Sequence, residues 1–193
     1  MTLPLPGLEF QHFTPSQARR HRDLVEDVFR RSYVEAIESG DPFESPDAFM
    51  ERFDAYTAPS RSSGFVLVLA HVDGKPAGQT WGWPLVPGSA WWQHLVLDEG
   101  DLAEFTAETG RRTFALSEIM VCAEYAGRGL ARRLHDEILG SRTESRATLL
   151  VDPANERAYG RYLSWGWRRV GTLRPSWDDA PEFDVLLREP AQP

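Results

Sequence analysis

Residues 114–139 constrain the fold more than any other part of the chain, because the sequence pattern changes twice within them. Apolar residues with few breakers predict a buried strand over Phe114–Cys122. Gly127 and Gly129 then interrupt that pattern. From Leu130 onward an apolar residue recurs at every fourth position, which is the spacing of a helix with one apolar stripe. The stretch therefore predicts a strand, a glycine loop and a helix in direct succession.

The loop in front of this helix has the chemistry of an anion site. The first turn of a helix carries backbone N–H groups without an intrahelical partner, and the helix dipole adds partial positive charge there. Glycines allow a phosphate to approach the backbone, and Arg128 and Arg132 add positive charge. An ordinary turn that needs glycine for its backbone angles is the alternative. The P-loop and dinucleotide-binding glycine patterns are both absent from the sequence.

Length and charge narrow the class of protein. A chain of 193 residues suits one domain, which we expect to span residues 1–193 and to bury a substantial core. The net charge of −8 argues against a nucleic-acid partner, because binding to phosphate backbones requires basic surface. A cationic small substrate suits that charge better, although acidic charge also keeps many proteins dispersed.

Compartment and redox state are predicted from what the sequence lacks. No apolar run approaches the roughly 20 residues of a membrane helix, and the N-terminal residues lack the basic start and apolar centre of a signal peptide. We therefore expect a cytoplasmic protein without a membrane partner. Cys122 is the single cysteine, and its place in a predicted strand favours a buried, inert thiol.

The rest of the chain alternates between strand and helix signals. Thr14-Pro15-Ser16-Gln17 has the residues of a helix start, and the apolar spacing that follows predicts one helix to about Ile37. A second helix start is predicted at Ser45-Pro46. Asp73-Gly74 predicts a hairpin turn between the strands Phe65–Val72 and Lys75–Pro84.

Further strands and helices are predicted in the remaining parts of the chain. They are a first strand near Leu8–Phe13, a possible strand in residues 89–97, a short helix or loop in 99–110, a strand at Arg146–Pro153, a helix at Asn155–Trp165, a strand in 167–173 and a last strand at Phe183–Arg188. Hairpins interrupted by crossover helices predict an α+β fold with a mixed, mostly antiparallel sheet flanked by helices.

Taken together, these motifs resemble the GNAT superfamily of N-acetyltransferases, which transfer an acetyl or longer acyl group from a coenzyme A thioester to an amine. The segment Ser117–Trp167 carries the resemblance. Its loop Ala126–Ala131 is similar to the family's phosphate loop, [Q/R]-x-x-G-x-[G/A], with Ala126 aligned at the first position as a departure from the pattern. The run NERAYGRYLSWGW, from Asn155, resembles the family's signature N-x-x-A-x-x-[FY]-Y-x-x-x-G-[FW], with Arg161 in place of a frequent aromatic residue.

The resemblance implies acetyl-CoA as co-substrate and no metal. It implies that the strand ending near Val121 splays from the strand at Leu149–Val151, so that the pantetheine arm can lie between these two middle strands. The donor-binding residues implied are Ile119, Met120 and Val121 for the pantetheine, Gly127, Arg128, Gly129, Leu130, Ala131 and Arg132 for the diphosphate, and Asn155 for a side-chain contact to the pantetheine.

The resemblance also implies catalytic roles. Tyr162 matches the family's usual general acid, which protonates the departing thiolate; a tyrosine that packs on one helical face is the alternative. Glu118, in the strand beside the acyl site, is our candidate base, with a structural role as its alternative. His94 and Asp152 are weaker candidates, and no base is needed if the amine arrives neutral.

Four tryptophans are candidates for binding the acceptor, because aromatic faces hold apolar or cationic groups. They are Trp81, Trp83, Trp91 and Trp92. The alternative is that they fill the core or form a dimer contact. Homodimers are common in the family, so a homodimer is a further expectation by analogy.

The sequence thus predicts an acyl-CoA-dependent N-acetyltransferase that acts on a primary amine, preferably of a small molecule, by direct attack. A protein N-terminal or lysine acetyltransferase is an alternative, and an acyl-CoA-binding sensor or interaction protein without turnover is another. The identity of the acceptor, the preferred acyl length, the general base and the oligomeric state do not follow from the sequence.

Overall fold

The computed structural model describes residues 5–60, 64–176 and 180–189. Its strands are β1 Leu8–Phe13, β2 Val66–Val72, β3 Lys75–Pro84, β4 Leu95–Leu97, β5 Thr113–Val121, β6 Arg146–Val151, β7 Arg168–Leu173 and β8 Phe183–Arg188. Its α-helices are α1 Pro15–Arg20, α2 Arg22–Ser32, α3 Val34–Glu38, α4 Pro46–Thr57, α5 Leu102–Thr106, α6 Leu130–Gly140 and α7 Glu156–Ser164. Short 3-10 helices occur at Pro42–Glu44, Ala90–Trp92 and Ala123–Tyr125.

The chain divides into two compact units. The first unit combines Met1–Trp83 with Ser117–Arg142, and the second combines Pro84–Leu116 with Thr143–Pro193. Strand β5 contributes its first residues to the second unit and its last residues to the first. The single domain expected over residues 1–193 stays a prediction.

The first unit contains β1, β2, β3 and the end of β5, in that order. Its predicted hairpin is confirmed, because Asp73 and Gly74 have φ values of 50° and 77° and join β2 to the antiparallel β3. Two left-handed residues in a two-residue turn match the twist of the flanking strands. Strand β1 pairs antiparallel with β2 over its whole length, from Leu8 opposite Val72 to Phe13 opposite Leu67.

The prediction of one continuous helix over residues 14–37 was wrong. The helix start is as expected, since the side chain of Gln17 accepts the Thr14 N–H at 2.8 Å. However, His21 and Tyr33 have ψ values of 25° and 34°, which separate α1, α2 and α3. The ring of His21 contacts the ring of Phe13 on β1, with 4.6 Å between the centroids. Helical spacing predicts the buried face, but it does not mark breaks of a single residue.

Aromatic side chains make up much of the first unit's core. The rings of Phe29 and Phe49 stack with their centroids 3.8 Å apart, so α2 and α4 pack against each other. The rings of Phe49 and Phe53 each lie 5.6 Å from the ring of Trp81 on β3, which is 1% exposed. Helix α4 begins as predicted, with the Ser45 hydroxyl accepting the Ala48 N–H at 3.2 Å.

The second unit contains the start of β5 followed by β6, β8, β7 and β4. A parallel ladder joins Thr113–Ala115 to Arg146–Thr148, whereas the ladders from β6 to β8, β8 to β7 and β7 to β4 are antiparallel. The expected mixed, mostly antiparallel sheet with flanking helices is therefore confirmed. The possible strand in residues 89–97 is in fact a 3-10 helix followed by the three-residue strand β4.

A buried ion pair lies within the second unit. The Arg146 guanidinium is 3.1 Å from the Glu108 carboxylate, and the two side chains are only 8% and 2% exposed. The hydroxyl of Thr113 and the indole N–H of Trp92 donate to the same Glu108 oxygen at 2.7 and 3.0 Å. A buried charge needs such partners to offset its loss of hydration.

None of the helices in residues 5–60, 64–176 and 180–189 combines the length and the apolar character that a membrane span requires.

Candidate active site

The predicted glycine loop lies in the first unit, between the 3-10 helix Ala123–Tyr125 and α6. Gly127 and Gly129 both have φ of 78°, a left-handed conformation that side chains with a Cβ rarely adopt. Gly129 is the N-cap of α6. A Cβ built on Gly127 would meet no heavy atom within 4 Å, so the space beside this backbone is open. The loop therefore exposes backbone at the positive end of a helix, which is the arrangement that a phosphate group needs.

Helix α6 is anchored by its apolar stripe. Leu130, Leu134 and Ile138 are buried, as their spacing predicts. Arg132 donates to the Asp136 carboxylate at 2.7 Å within the same helix, so part of its charge is already paired. The exposed Arg128 lies with its guanidinium carbon 5.8 Å from the Tyr125 ring centroid. The open backbone of the loop, together with Arg128 and Arg132, is suited to binding a diphosphate.

The loop Ala126–Ala131 departs from the family pattern at its first position. The fixed glycine of the pattern falls on Gly129 and its last small residue on Ala131, so the first position, three residues before Gly129, is Ala126. A methyl group therefore stands where the pattern has the long polar side chain of a glutamine or an arginine, while the backbone N–H groups of the loop are unchanged.

The predicted pantetheine strand is the end of β5. Met120 is 2% exposed, whereas Ile119 and Val121 are half-buried. A Cβ on Gly78 of β3 would lie 2.6 Å from the Met120 carbonyl oxygen, so this close approach requires glycine. The buried Gln79 amide donates to the Val25 carbonyl at 3.1 Å and lies 3.3 Å from the Met120 sulfur.

The candidate base, Glu118, is half-buried on the same strand. Its backbone carbonyl accepts the Thr80 hydroxyl at 2.7 Å. Desolvation raises the pKa of its carboxyl to about 7, while the positive charge of Arg52 opposes the rise and the negative charge of Glu44 adds to it. A carboxylate with a pKa near neutrality can accept a proton and release it again, as a general base must.

Arg52 is held close to this acidic pair by contacts within the first unit. It donates to the Phe43 carbonyl at 2.9 Å, and its guanidinium carbon lies 3.9 Å from the Phe43 ring centroid and 5.9 Å from that of Phe49. Neither Arg52 nor Glu44 belongs to a motif that the sequence reveals. Glu44 precedes α4 and Arg52 lies within it, and no local pattern connects these charges with a strand that follows more than sixty residues later.

Asn155 and Tyr162 lie in the second unit, at the start and near the end of α7. The Asn155 side-chain oxygen accepts the Ala158 N–H at 3.1 Å and caps the helix. The ring of Tyr162 lies edge-on to Trp165 and Trp167, with centroids 5.6 and 6.2 Å apart. These ring contacts are compatible with the packing alternative, and the role of Tyr162 as general acid stays a prediction.

The four tryptophans have different environments. Trp81 and Trp92 are 1% and 7% exposed, so the core-filling alternative applies to both. Trp83 is half-buried, and its ring centroid lies 4.7 Å from that of Tyr56. Trp91 is also half-buried. An acceptor contact therefore stays a prediction, for which Trp83 and Trp91 offer accessible surface.

The weaker base candidates have structural partners. The His94 ring nitrogen lies 3.1 Å from the Ser176 hydroxyl, and an oxygen of Asp152 accepts the Ala154 N–H at 2.8 Å. No group of acidic, histidine or cysteine side chains in the described part of the chain could hold a metal ion.

The first unit therefore brings together the glycine loop, the pantetheine strand, Glu118 and two of the tryptophans. The second unit holds Trp91, Trp92, Asn155 and Tyr162. A mixed sheet flanked by helices, with a strand, a left-handed glycine loop and a helix in succession, defines the class of α+β fold to which the chain belongs.

Comparison with known proteins identifies the family within that class. The sequence model of the Acetyltransferase (GNAT) family matches residues 25–167. The chain belongs to this family, which supports acyltransferase chemistry. A search of curated proteins finds no significant match.

Solved structures share the fold at low sequence identity. An acetyltransferase from Thermus thermophilus is 15% identical with a TM-score of 0.63, and the match covers 97% of this chain and 99% of that one. An aminoglycoside 6′-acetyltransferase type Ii is 17% identical with a TM-score of 0.60, covering 96% and 99%. The PaiA N-acetyltransferase from Thermoplasma acidophilum, solved in complex with coenzyme A, is 12% identical with a TM-score of 0.54, covering 94% and 98%.

Proposed function

We propose that the protein transfers an acetyl group from acetyl-CoA to a primary amine of a small molecule, by direct attack of the amine. The observation that carries the proposal is the left-handed glycine loop at the start of α6, with open backbone beside Gly127. Family membership supports the same chemistry.

The residues from Gly127 to Arg132 would hold the diphosphate of the donor, and the main chain of Ile119–Val121 would pair with the pantetheine arm. The open loop and its two arginines support the first assignment. The parallel ladder of β5, which joins only Thr113–Ala115 to β6, leaves the end of β5 outside that ladder and supports the second. The side-chain contact from Asn155 stays a prediction from the resemblance. When bound, acetyl-CoA supplies an activated acyl carbonyl and a good leaving thiolate.

Two side chains would carry out the proton transfers of the reaction. In the reaction an N–C bond forms and the thioester C–S bond breaks, so the amine loses one proton and the thiolate gains one. Glu118 would accept the proton of the amine, directly or through water, because its pKa near 7 lets it be ionised at neutral pH. Tyr162 would protonate the thiolate, as the resemblance implies. A cytoplasmic location and a homodimer stay predictions.

Calorimetric titration of acetyl-CoA tests the donor site. Gly129→Glu adds a side chain and a negative charge in the loop, and we expect it to abolish binding. Gly74→Glu is the control, because Gly74 has the same left-handed backbone as Gly129 (φ 77° and 78°) but lies in the hairpin turn. Retained binding by Gly74→Glu, with both variants folded by circular dichroism, assigns the loss to the loop.

An activity assay then distinguishes an acetyltransferase from an acyl-CoA sensor. Wild-type protein that binds acetyl-CoA is incubated with primary amines, and free thiol is measured. Release of thiol with acetylation of an amine supports the transferase, and acetylation of protein N-termini or lysines alone would favour a protein substrate. Binding without transfer to any amine would favour an acyl-CoA sensor, whereas a well-folded wild type that binds no acetyl-CoA would overturn the proposal.

A further inference from the structure

The glycine loop is linked to α2 by one arginine. We propose that Arg31 is a positioning residue for the diphosphate loop: its ion pair with Glu124 fixes the segment that leads into the loop and neutralises a carboxylate that would otherwise repel the donor. This inference rests on the proposed function, because it requires that acetyl-CoA binds at this loop.

All three nitrogens of the Arg31 guanidinium have partners. Its Nε donates to the Glu124 carboxylate at 3.1 Å, and Nη2 makes a second contact with the same oxygen. Nη2 also donates to the Pro76 carbonyl at 3.0 Å, and Nη1 donates to Asp27 at 2.7 Å. One planar group thus connects α2, β3 and the 3-10 helix Ala123–Tyr125, which the single ammonium of a lysine could not reproduce.

The segment from Cys122 to Gly127 transmits this position to the loop. The Cys122 N–H donates to the Ala77 carbonyl at 3.0 Å, which fixes the segment at its strand end. Two further backbone bonds, from Tyr125 to Cys122 at 2.8 Å and from Ala126 to Ala123 at 3.1 Å, keep the short 3-10 helix tight. Glu124 lies within that helix, three residues before Gly127, so a shift of Glu124 moves the entry to the loop.

Charge gives Arg31 a second effect. Its hydrogen bond lowers the pKa of the Glu124 carboxyl, so Glu124 carries a negative charge at neutral pH. Paired with Arg31, this carboxylate adds little net charge to the loop. Without Arg31, a lone negative charge stands three residues from Gly127 and opposes a diphosphate.

The ion pair between Arg31 and Glu124 is exposed, so it contributes little to the stability of the fold. The Arg31 and Glu124 side chains are 30% and 51% exposed, and ion pairs in such positions stabilise a fold only weakly. We therefore expect the loss of Arg31 to appear in donor binding while the protein remains folded.

Helix α2 offers a matched control in the neighbouring residue. Arg30 pairs with Glu26 of its own helix at 2.7 Å, and its side chain is 53% exposed. Arg30→Met removes the same charge from the same turn as Arg31→Met, but breaks a pair that lies within one helix.

The test measures acetyl-CoA affinity by calorimetry at low and at high salt. We expect Arg31→Met to weaken binding about tenfold at low salt, which is the effect of about 1.4 kcal/mol, and Arg30→Met to change it by less than about twofold. High salt should reduce the defect of Arg31→Met, because screening weakens the repulsion from Glu124. The double variant Arg31→Glu/Glu124→Arg should bind more tightly than Arg31→Glu alone.

A shortened donor separates positioning from general damage. S-acetylpantetheine has the thioester but lacks the diphosphate, so its KM in the transfer assay should be the same for the wild type and Arg31→Met. Equal losses with acetyl-CoA and S-acetylpantetheine would overturn the inference, as would equal affinities of Arg31→Met and Arg30→Met for acetyl-CoA. A folded wild type that fails to bind acetyl-CoA would overturn the proposed function itself, and this inference with it.

Discussion

At the scale of single residues, Glu118 links stability to chemistry. The pKa of its carboxyl is raised from 4.5 to about 7 by desolvation in the folded protein. In the unfolded chain the group titrates at its ordinary pKa, so between these values the folded state binds more protons than the unfolded state. The free energy of unfolding therefore falls as the pH rises through this window, and the cost of burying Glu118 is fully present above pH 7.

Replacing Glu118 should therefore raise the stability of the protein and lower its catalytic activity. We expect Glu118→Gln to raise the free energy of unfolding at pH 8 by roughly 2 kcal/mol and to do less at pH 5, where the folded wild type already carries the proton. The turnover number should fall by about 10²-fold if Glu118 is the base. Urea unfolding at both pH values and steady-state kinetics measure the two effects, with the exposed Glu51→Gln as control. An equal gain at both pH values would contradict the assignment.

Arg52 should set the pH at which the enzyme becomes active. Its positive charge lowers the pKa of Glu118, so its removal raises that pKa further. We expect Arg52→Met to move the acidic limb of the kcat/KM profile to higher pH. Arg22→Met is the control, because Arg22 is also an arginine of the first unit but pairs with Asp54 at 3.2 Å. An unchanged limb in Arg52→Met would mean that Glu118 does not control the rate.

At the scale of elements, the sequence predicts best what a few neighbouring residues decide. Asp73-Gly74 specifies its hairpin turn through backbone angles, and Ser45-Pro46 specifies the start of α4 through a cap. The breaks at His21 and Tyr33 escaped prediction, because contacts such as that between His21 and Phe13 come from another element.

The candidate site follows the same rule. The glycine loop and Tyr162 could be proposed from the sequence because each belongs to a local motif. The hydrogen bond from Arg31 to Glu124 and the effect of the Arg52 charge on the pKa of Glu118 could not be predicted from local motifs. In both cases the fold brings together residues from distant parts of the sequence.

Alanine substitutions at two glycines should change the free energy of unfolding in opposite directions. We expect Gly78→Ala to lower the free energy of unfolding by about 1–3 kcal/mol, because its Cβ would lie 2.6 Å from the Met120 carbonyl oxygen and the backbone must shift. Gly140→Ala, at the end of α6, meets nothing within 4 Å and should raise the free energy of unfolding by about 0.5–1 kcal/mol. Denaturant unfolding of both variants measures the difference, and a similar sign for both would contradict it.

At the scale of the whole molecule, the second unit contains a buried ion pair in which each charge needs the other. Glu108→Gln leaves the buried Arg146 without its counter-ion, and we expect it to cost about 3–5 kcal/mol. The double variant Glu108→Gln/Arg146→Met should cost less than the sum of the two single changes, because it leaves no unpaired charge. Thermal unfolding of the three variants completes the cycle, and additive losses would mean that the pair does not couple.

The division of the chain has a consequence for its synthesis. The polypeptide passes from one unit to the other after Trp83, after Leu116 and after Arg142, so neither unit is a continuous segment. While the ribosome is still making residues 84–116, the nascent first unit lacks the end of β5 and the whole of α6. The edge of β3 that later lies beside β5 has no neighbouring strand during this time. An open strand edge invites pairing with other chains. The glycine loop therefore gains both its strand and its helix only after the ribosome has made Gly140 at the end of α6, so we expect the proposed donor site to form late in synthesis.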